Sequence, residues 1–251
     1  MKNISKIINL HYSTYIYLIV CFLTGYIKQS ITIFLIIIIH ELGHVFFTKL
    51  FKYDIVKINI YPFGGVTIAN KPINCRIIKD LLIYFGGFIF QIIMVLIVNL
   101  LGFNFYMFNY YNKTIILFNI LCIFPLDGFF IIKTILEKFK SFYYIQKVMG
   151  VISFITLFIF TISFYNYSNY LILSFLLYKS IEYSKDIKYI YNRFLLERLS
   201  NNCFISKIEY NDKPNLKELK REIYHYFRYK NKIIGEKQML EKRFDINRSF
   251  W

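Results

Sequence analysis

Acidic residues are scarce in this chain: 15 Asp and Glu stand against 31 Lys and Arg over 251 residues, a formal net charge of +16. An excess of that size suits a nucleic-acid binder, but the basic residues here alternate with long apolar runs, which a membrane explains more simply. No direct nucleic-acid partner is expected. Cysteine is equally thin. Cys21, Cys75, Cys122 and Cys203 are widely scattered with no CxxC pair, so a disulfide framework is not indicated and they read as buried thiols. No Gly-rich nucleotide motif occurs anywhere. There is no convincing internal repeat either, so an inverted-repeat transporter gains no support.

What the chain has in abundance is apolar length. It is 57% hydrophobic, with a mean hydropathy of +0.44 and several apolar stretches near 20 residues, which excludes a single soluble globule and predicts an all-α polytopic membrane protein. Six spans are expected, from Tyr12 to Ile27, Ile31 to Phe51, Leu81 to Leu101, Ile115 to Leu136, Val148 to Phe164 and Tyr167 to Ser184. Lys and Arg cluster before the first span, around the second and fourth connections, and after the last. By the positive-inside rule both termini are then cytoplasmic. The N-terminus shows no small-residue cleavage pattern, so the first span reads as uncleaved. Residues 1–184 form the expected membrane domain and 185–251 a cytoplasmic tail.

Into the second apolar run the sequence sets His40-Glu41-Leu42-Gly43-His44. On a helix residues i and i+4 share a face, so both imidazoles can hold one Zn²⁺ while Glu41 polarises a bound water. Zinc lowers the pKa of such a water to roughly 7. An ionisable group at the bilayer centre costs on the order of 3 kcal/mol, so three together on one helix point to a use.

Tetrahedral zinc then needs a third protein donor. Asp127 is the best candidate, in the run Asn119-Ile120-Leu121-Cys122-Ile123-Phe124-Pro125-Leu126-Asp127-Gly128. Pro125 and Gly128 can interrupt regular helix there beside a cavity. No other Asp, Glu or His sits so deep in a predicted span.

With both motifs in hand, the chain resembles the site-2-type intramembrane zinc metalloproteases, whose signatures are HExxH and an Asn/Pro-rich stretch ending in Asp-Gly. It is most similar to the subgroup containing the stage IV sporulation intramembrane protease, since Tyr61-Pro62-Phe63-Gly64-Gly65-Val66 and Arg193-Phe194-Leu195-Leu196-Glu197-Arg198 resemble that subgroup's segments. The resemblance implies that His40, His44 and Asp127 bind zinc, that Glu41 is catalytic, and that Asn119 and Pro125 help hold substrate. It also implies a membrane-tethered substrate, an inactive transcription-factor precursor, with inhibitory membrane proteins restraining the protease. A homo-oligomer is compatible with the chain. Two positions depart from the family pattern: Cys122 where Pro is common and Phe129 where a second Gly is common.

Between Asp54 and Asn70 the alternation of Val56, Ile58 and Ile60, broken at Pro62-Phe63-Gly64-Gly65, predicts a short membrane-associated β-hairpin. Its edge, with Gly64 and Gly65, could clamp an extended peptide by strand addition, and a plain connecting hairpin is the equal alternative. Gly86-Gly87 and Gln91 could allow close helix approach and supply a polar group facing the site, with plain helix packing the favoured reading. The aromatic cluster from Phe103 to Tyr111 suits an outer interfacial belt. His11 and His225 have no partner at ligand spacing and read as interfacial or surface residues. The tail predicts a small α+β unit: a helix over Asn215 to Arg221, a hairpin from Ile223 to Glu236 turning at Lys230-Asn231, and a helix over Lys237 to Phe244. That order resembles, in shortened form, the end of the subgroup's nucleotide-binding CBS domain, and its basic residues suit anionic lipid. The alternative functions are a divalent-metal transporter using the same three ligands and a catalytically inactive membrane adaptor.

Overall fold

The computed structural model describes all residues except 1–7, 11, 62–63, 103–105, 164–169, 201–202, 230–231 and 245–251. His11, the Pro62-Phe63 pair and the Lys230-Asn231 turn of the sequence reading therefore lie outside the described residues. The chain divides into two compact units, Met1–Lys71 with Leu81–Leu121, and Pro72–Asp80 with Cys122–Trp251.

The first unit holds β1 (Ile8–Leu10), α1 (Tyr12–Leu23), α2 (Ile27–Leu50), β2 (Asp54–Tyr61), β3 (Gly64–Asn70), most of α3 (Ile77–Leu100) and α4 (Tyr106–Ile120). Gly25, at φ +78 in the left-handed region, separates α1 from α2. The expected hairpin is present. Strands β2 and β3 pair antiparallel from Asp54↔Asn70 to Tyr61↔Gly64, with an irregularity between Ile55 and Lys57. β1, which the sequence reading did not anticipate, adds to β2 in parallel, so the order is β1-β2-β3 and β3 is an edge among the described residues.

Helix α2 wears its polarity inside out. Its buried face carries Ser30, His40, Glu41, His44 and Thr48. Its exposed face carries Ile31, Leu35, Ile38, Leu42, Phe46 and Leu50, spaced three or four residues apart. His40 is 4% exposed and Leu42 50%, the reverse of what water would select and what a hydrocarbon solvent requires. Exposed apolar side chains continue on α3 (Phe85, Ile92, Ile93, Leu96). Among the described residues α2, α3 and α6 (Phe142–Ser163) are long and apolar enough to cross a membrane. This is an integral membrane protein, mostly helical, with small β-sheets.

The second unit contains α5 (Asp127–Glu137), α6, α7 (Tyr170–Leu199), β4 (Lys207–Asn211), a 3₁₀ turn (Leu216–Glu218), β5 (Ile223–Tyr229), β6 (Lys232–Gly235) and α8 (Glu236–Arg243). The stretch expected as a fourth span is thus two helices, α4 and α5, with residues 121–126 irregular between them. The backbone groups freed at this break find hydroxyls on α6. Phe124 N–H donates to Ser153 Oγ at 3.0 Å and Thr156 Oγ1 donates to the Cys122 carbonyl at 2.8 Å. Irregular backbone at membrane depth survives only with such partners. Phe129 is fully buried and packs edge-on against Phe124 and Tyr183.

Helix α7 runs unbroken past Ser184 to Leu199, and its last turns join Phe142, Leu219, Phe227 and Leu240 in an apolar core around Phe194. Phe142 and Phe194 stack with centroids 4.1 Å apart. The tail hairpin is present, β5 and β6 pairing antiparallel, with β4 added in parallel. The helix expected over Asn215 to Arg221 is reduced to one 3₁₀ turn, because the Leu219 carbonyl is taken by Phe142 N–H and Lys220 N–H by His225 Nε2. His225 is a buried structural residue rather than a surface one. Its Nδ1 meets Asn211 Oδ1 at 3.1 Å.

Candidate metal centre

The buried face of α2 is built by close backbone approach. A Cβ on Gly43 would run into the Gly86 carbonyl, and one on Gly86 would come within 2.6 Å of the Gly43 carbonyl oxygen. The glycines therefore let α2 and α3 touch. A Cβ at Gly87 would overlap the His40 imidazole, so the packing role of Gly86-Gly87 extends to seating that ring.

His40 and His44 stand one turn apart with ring centroids 4.7 Å apart and Nε2 atoms facing at 3.0 Å. Each far nitrogen has an oxygen beside it. His40 Nδ1 lies 2.9 Å from Gln91 Oε1, and His44 Nδ1 lies 2.7 Å from the Ile83 carbonyl. An acceptor at Nδ1 puts the ring proton there and leaves Nε2 as a lone pair, the form that ligates metals. The two Nε2 atoms, 3.0 Å apart, are presented side by side, as two donors to one metal ion are. That is the test the residues meet for a metal ion.

Glu41, 7% exposed, turns toward the hairpin. Thr67 Oγ1 donates to Glu41 Oε2 at 2.9 Å, and Gly65, two residues back on the same strand face, offers no side chain where the carboxylate lies. One helix and one hairpin thus gather His40, Glu41, His44 and Gly65. Gly64 pairs with Tyr61 at the hairpin end.

Asn119 lies in the last turn of α4, its Nδ2 donating to the Ile115 carbonyl at 3.1 Å. Pro125 lies in the irregular 121–126 segment. Asp127, half-buried, opens α5, where unpaired N–H groups and the positive helix end favour a carboxylate. Of the expected donors, His40 and His44 lie in the first unit and Asp127 in the second, two imidazoles and one carboxylate whose chemistry suits a metal ion.

Three contributors lie outside the two motifs: Gln91, whose polar group faces the site rather than serving packing alone, the Ile83 carbonyl and Thr67. Asn112 is a fourth, accepting from Gln91 Nε2 at 3.1 Å. Its signal was obscured because the fourth span was expected to start at Ile115, whereas α4 begins at Tyr106.

No family model matches the chain. It is 28% identical over 136 residues to stage IV sporulation protein FB of Bacillus subtilis (strain 168), a match covering 51% of this chain and 47% of that protein. The chain thus spans about half the length of the curated relative it matches. In fold it is similar to the site-2 protease from Methanocaldococcus jannaschii, with a TM-score of 0.56, 24% identity, and coverage of 70% of this chain and 90% of that one. The chain is thus similar in sequence to a sporulation protein and in fold to a site-2 protease, in keeping with the resemblance its two motifs carry.

Proposed function

We propose that this chain is an intramembrane zinc metalloendopeptidase in which His40, His44 and Asp127 hold the metal and Glu41 is the general base. The observation that carries the reading is the pair of Nε2 lone pairs on α2, fixed from behind and flanked by a buried carboxylate, on a helix whose other face is apolar and exposed. When bound, zinc supplies a Lewis-acidic centre that polarises a carbonyl and acidifies a water. Glu41 takes a proton from the attacking water and passes it to the leaving amide nitrogen. Thr67 holds Oε2, so Oε1, over the bare backbone of Gly65, is the atom that carries that proton. The low polarity around α2 strengthens each of these interactions.

An extended substrate segment adds to the free edge of β3, where Gly64 and Gly65 keep the approach clear. Asn119 and Pro125 take the substrate-holding roles that the family resemblance gives them. The substrate class is a membrane-tethered protein, with a transcription-factor precursor as the specific form and separate membrane proteins as inhibitors. Six spans, a membrane domain over 1–184, a tail over 185–251 and both termini in the cytoplasm complete the reading, on the strength of the Lys and Arg distribution.

The test is co-expression of the full chain with a membrane-tethered reporter. Glu41→Gln should reduce cleavage on the order of 10²- to 10⁴-fold, the usual loss for a general base. Cleavage by Glu41→Gln at the rate of the unmodified chain would overturn the assignment.

A further inference from the structure

We propose that Gln91 and Asn112 form a carboxamide relay that fixes the tautomer of His40 and thereby makes its Nε2 a metal donor. This rests on the metal-centre reading above.

The two histidines are held from behind by different chemistry. His44 Nδ1 faces a main-chain carbonyl, that of Ile83, at 2.7 Å. A helix carbonyl offers only an acceptor, so His44 has no choice of tautomer. His40 Nδ1 faces the carboxamide of Gln91 at 2.9 Å. A carboxamide has an acceptor end and a donor end of nearly equal shape, and its two orientations would demand opposite tautomers of His40. With the NH₂ toward His40, Nδ1 would accept, the ring proton would move to Nε2, and the nitrogen facing His44 would no longer be a ligand.

Asn112 takes the orientation complementary to one of the two. Its Oδ1 accepts from Gln91 Nε2 at 3.1 Å, which directs the Gln91 oxygen toward His40. Gln91 is 0% exposed and Asn112 4%, so water is not at hand to satisfy a flipped amide. The His40 ring also lies close against the bare backbone of Gly87, one turn before Gln91 on the same face of α3. Three side chains from α2, α3 and α4 thus make one directional chain: His40 Nδ1–H to Gln91 Oε1, and Gln91 Nε2–H to Asn112 Oδ1. Gln91 and Asn112 are positioning residues. Neither touches the reacting atoms.

The experiment uses purified full-length protein, with Zn²⁺ affinity measured by chelator competition and the imidazole proton located by ¹⁵N-histidine NMR on the metal-free protein. Gln91→Leu should weaken Zn²⁺ binding about 10- to 100-fold, the usual loss for an outer-shell partner of a metal-bound histidine. Gln91→Glu keeps an acceptor toward His40 and should bind within a few-fold of the unmodified chain, which a merely space-filling role would not explain. Asn112→Leu should give a smaller loss than Gln91→Leu, and Asn112→Asp should restore it. The relay is overturned if Gln91→Leu binds Zn²⁺ as tightly as the unmodified chain, or if Gln91→Glu is as weak as Gln91→Leu. If the unmodified chain binds no Zn²⁺, the metal-centre reading fails separately, and the NMR spectrum still decides the relay. A His40 proton on Nδ1 that is lost in Gln91→Leu supports it; a proton on Nε2 in the unmodified chain refutes it.

Discussion

Arg221, in the second unit, lies 2.8 Å from both Asp80 and Glu137, and donates to the Cys75 carbonyl at 2.9 Å. In the first unit, His40 and His44 bring their Nε2 atoms within 3.0 Å of each other, next in sequence to the Glu41 carboxylate that Thr67 holds. Both clusters are buried, yet only one supplies its own counter-charge. Burial alone would lower the Arg221 pKa, and Glu137 and Asp80 more than reverse that, holding it above its ordinary value. A cluster balanced in this way is part of the scaffold. The α2 cluster gathers two imidazoles and a carboxylate within one helical turn, the arrangement proposed above to take part in holding a cation.

The comparison breaks most visibly if the positive member of the balanced cluster is removed. Arg221→Met leaves Asp80 and Glu137 facing each other without compensation and should destabilise the protein by about 3–5 kcal/mol, read from denaturant unfolding in detergent. Replacing all three by apolar residues of similar volume should recover most of that loss. His44→Ala in chelator-treated protein should change unfolding far less, because the bonds it removes are single hydrogen bonds of a neutral ring.

A smaller effect sharpens the contrast within the tail. Burial, helped by the Arg198 charge, pushes the His225 pKa down to about 4, against about 6.5 in an unfolded chain. The unfolded state therefore binds the extra proton first. Stability from keeping this ring neutral is fully present above pH about 6.5 and is lost as pH falls toward 4. Glu236, raised by burial, acts with the opposite sign. The difference between the unmodified chain and His225→Gln, followed as unfolding midpoint from pH 7 to 4, isolates the histidine and should show a flatter acid limb in the variant.

The smallest expected effect lies at the base. Thr67→Val removes the hydroxyl that holds Glu41 Oε2 and should cost about 1 kcal/mol, hence roughly a five-fold slower cleavage, with Zn²⁺ content unchanged. A simultaneous loss of metal would mean that the hairpin supports the histidines as well as the carboxylate.

Much of this was legible in the residues. HExxH announced a buried polar face because i and i+4 must coincide on a helix, and Pro125 with Gly128 marked the place where the expected fourth span becomes two helices. The hairpin followed from the alternation at Val56, Ile58 and Ile60. What could not be read were contacts made between elements distant in sequence. Asn112 meets Gln91 across 21 positions and Thr67 meets Glu41 across 26, and no local pattern encodes either. Three-residue β1 is too short to carry a period. The helix expected over Asn215 to Arg221 failed for a similar reason, its backbone groups being claimed by Phe142 and His225.

The start of α3 bears on how the protein is made. The Ile77 amide donates to Glu222 Oε1 at 2.6 Å, a partner 145 positions further along, and the Ile73 and Asn74 amides donate to Glu197. At about 5–20 residues per second, a ribosome needs roughly seven to thirty seconds to reach Glu222 after Ile77 has been synthesised. During that interval the helix beginning at Ile77 has no mature cap, so this corner of the protein is completed only after Glu222 has been made.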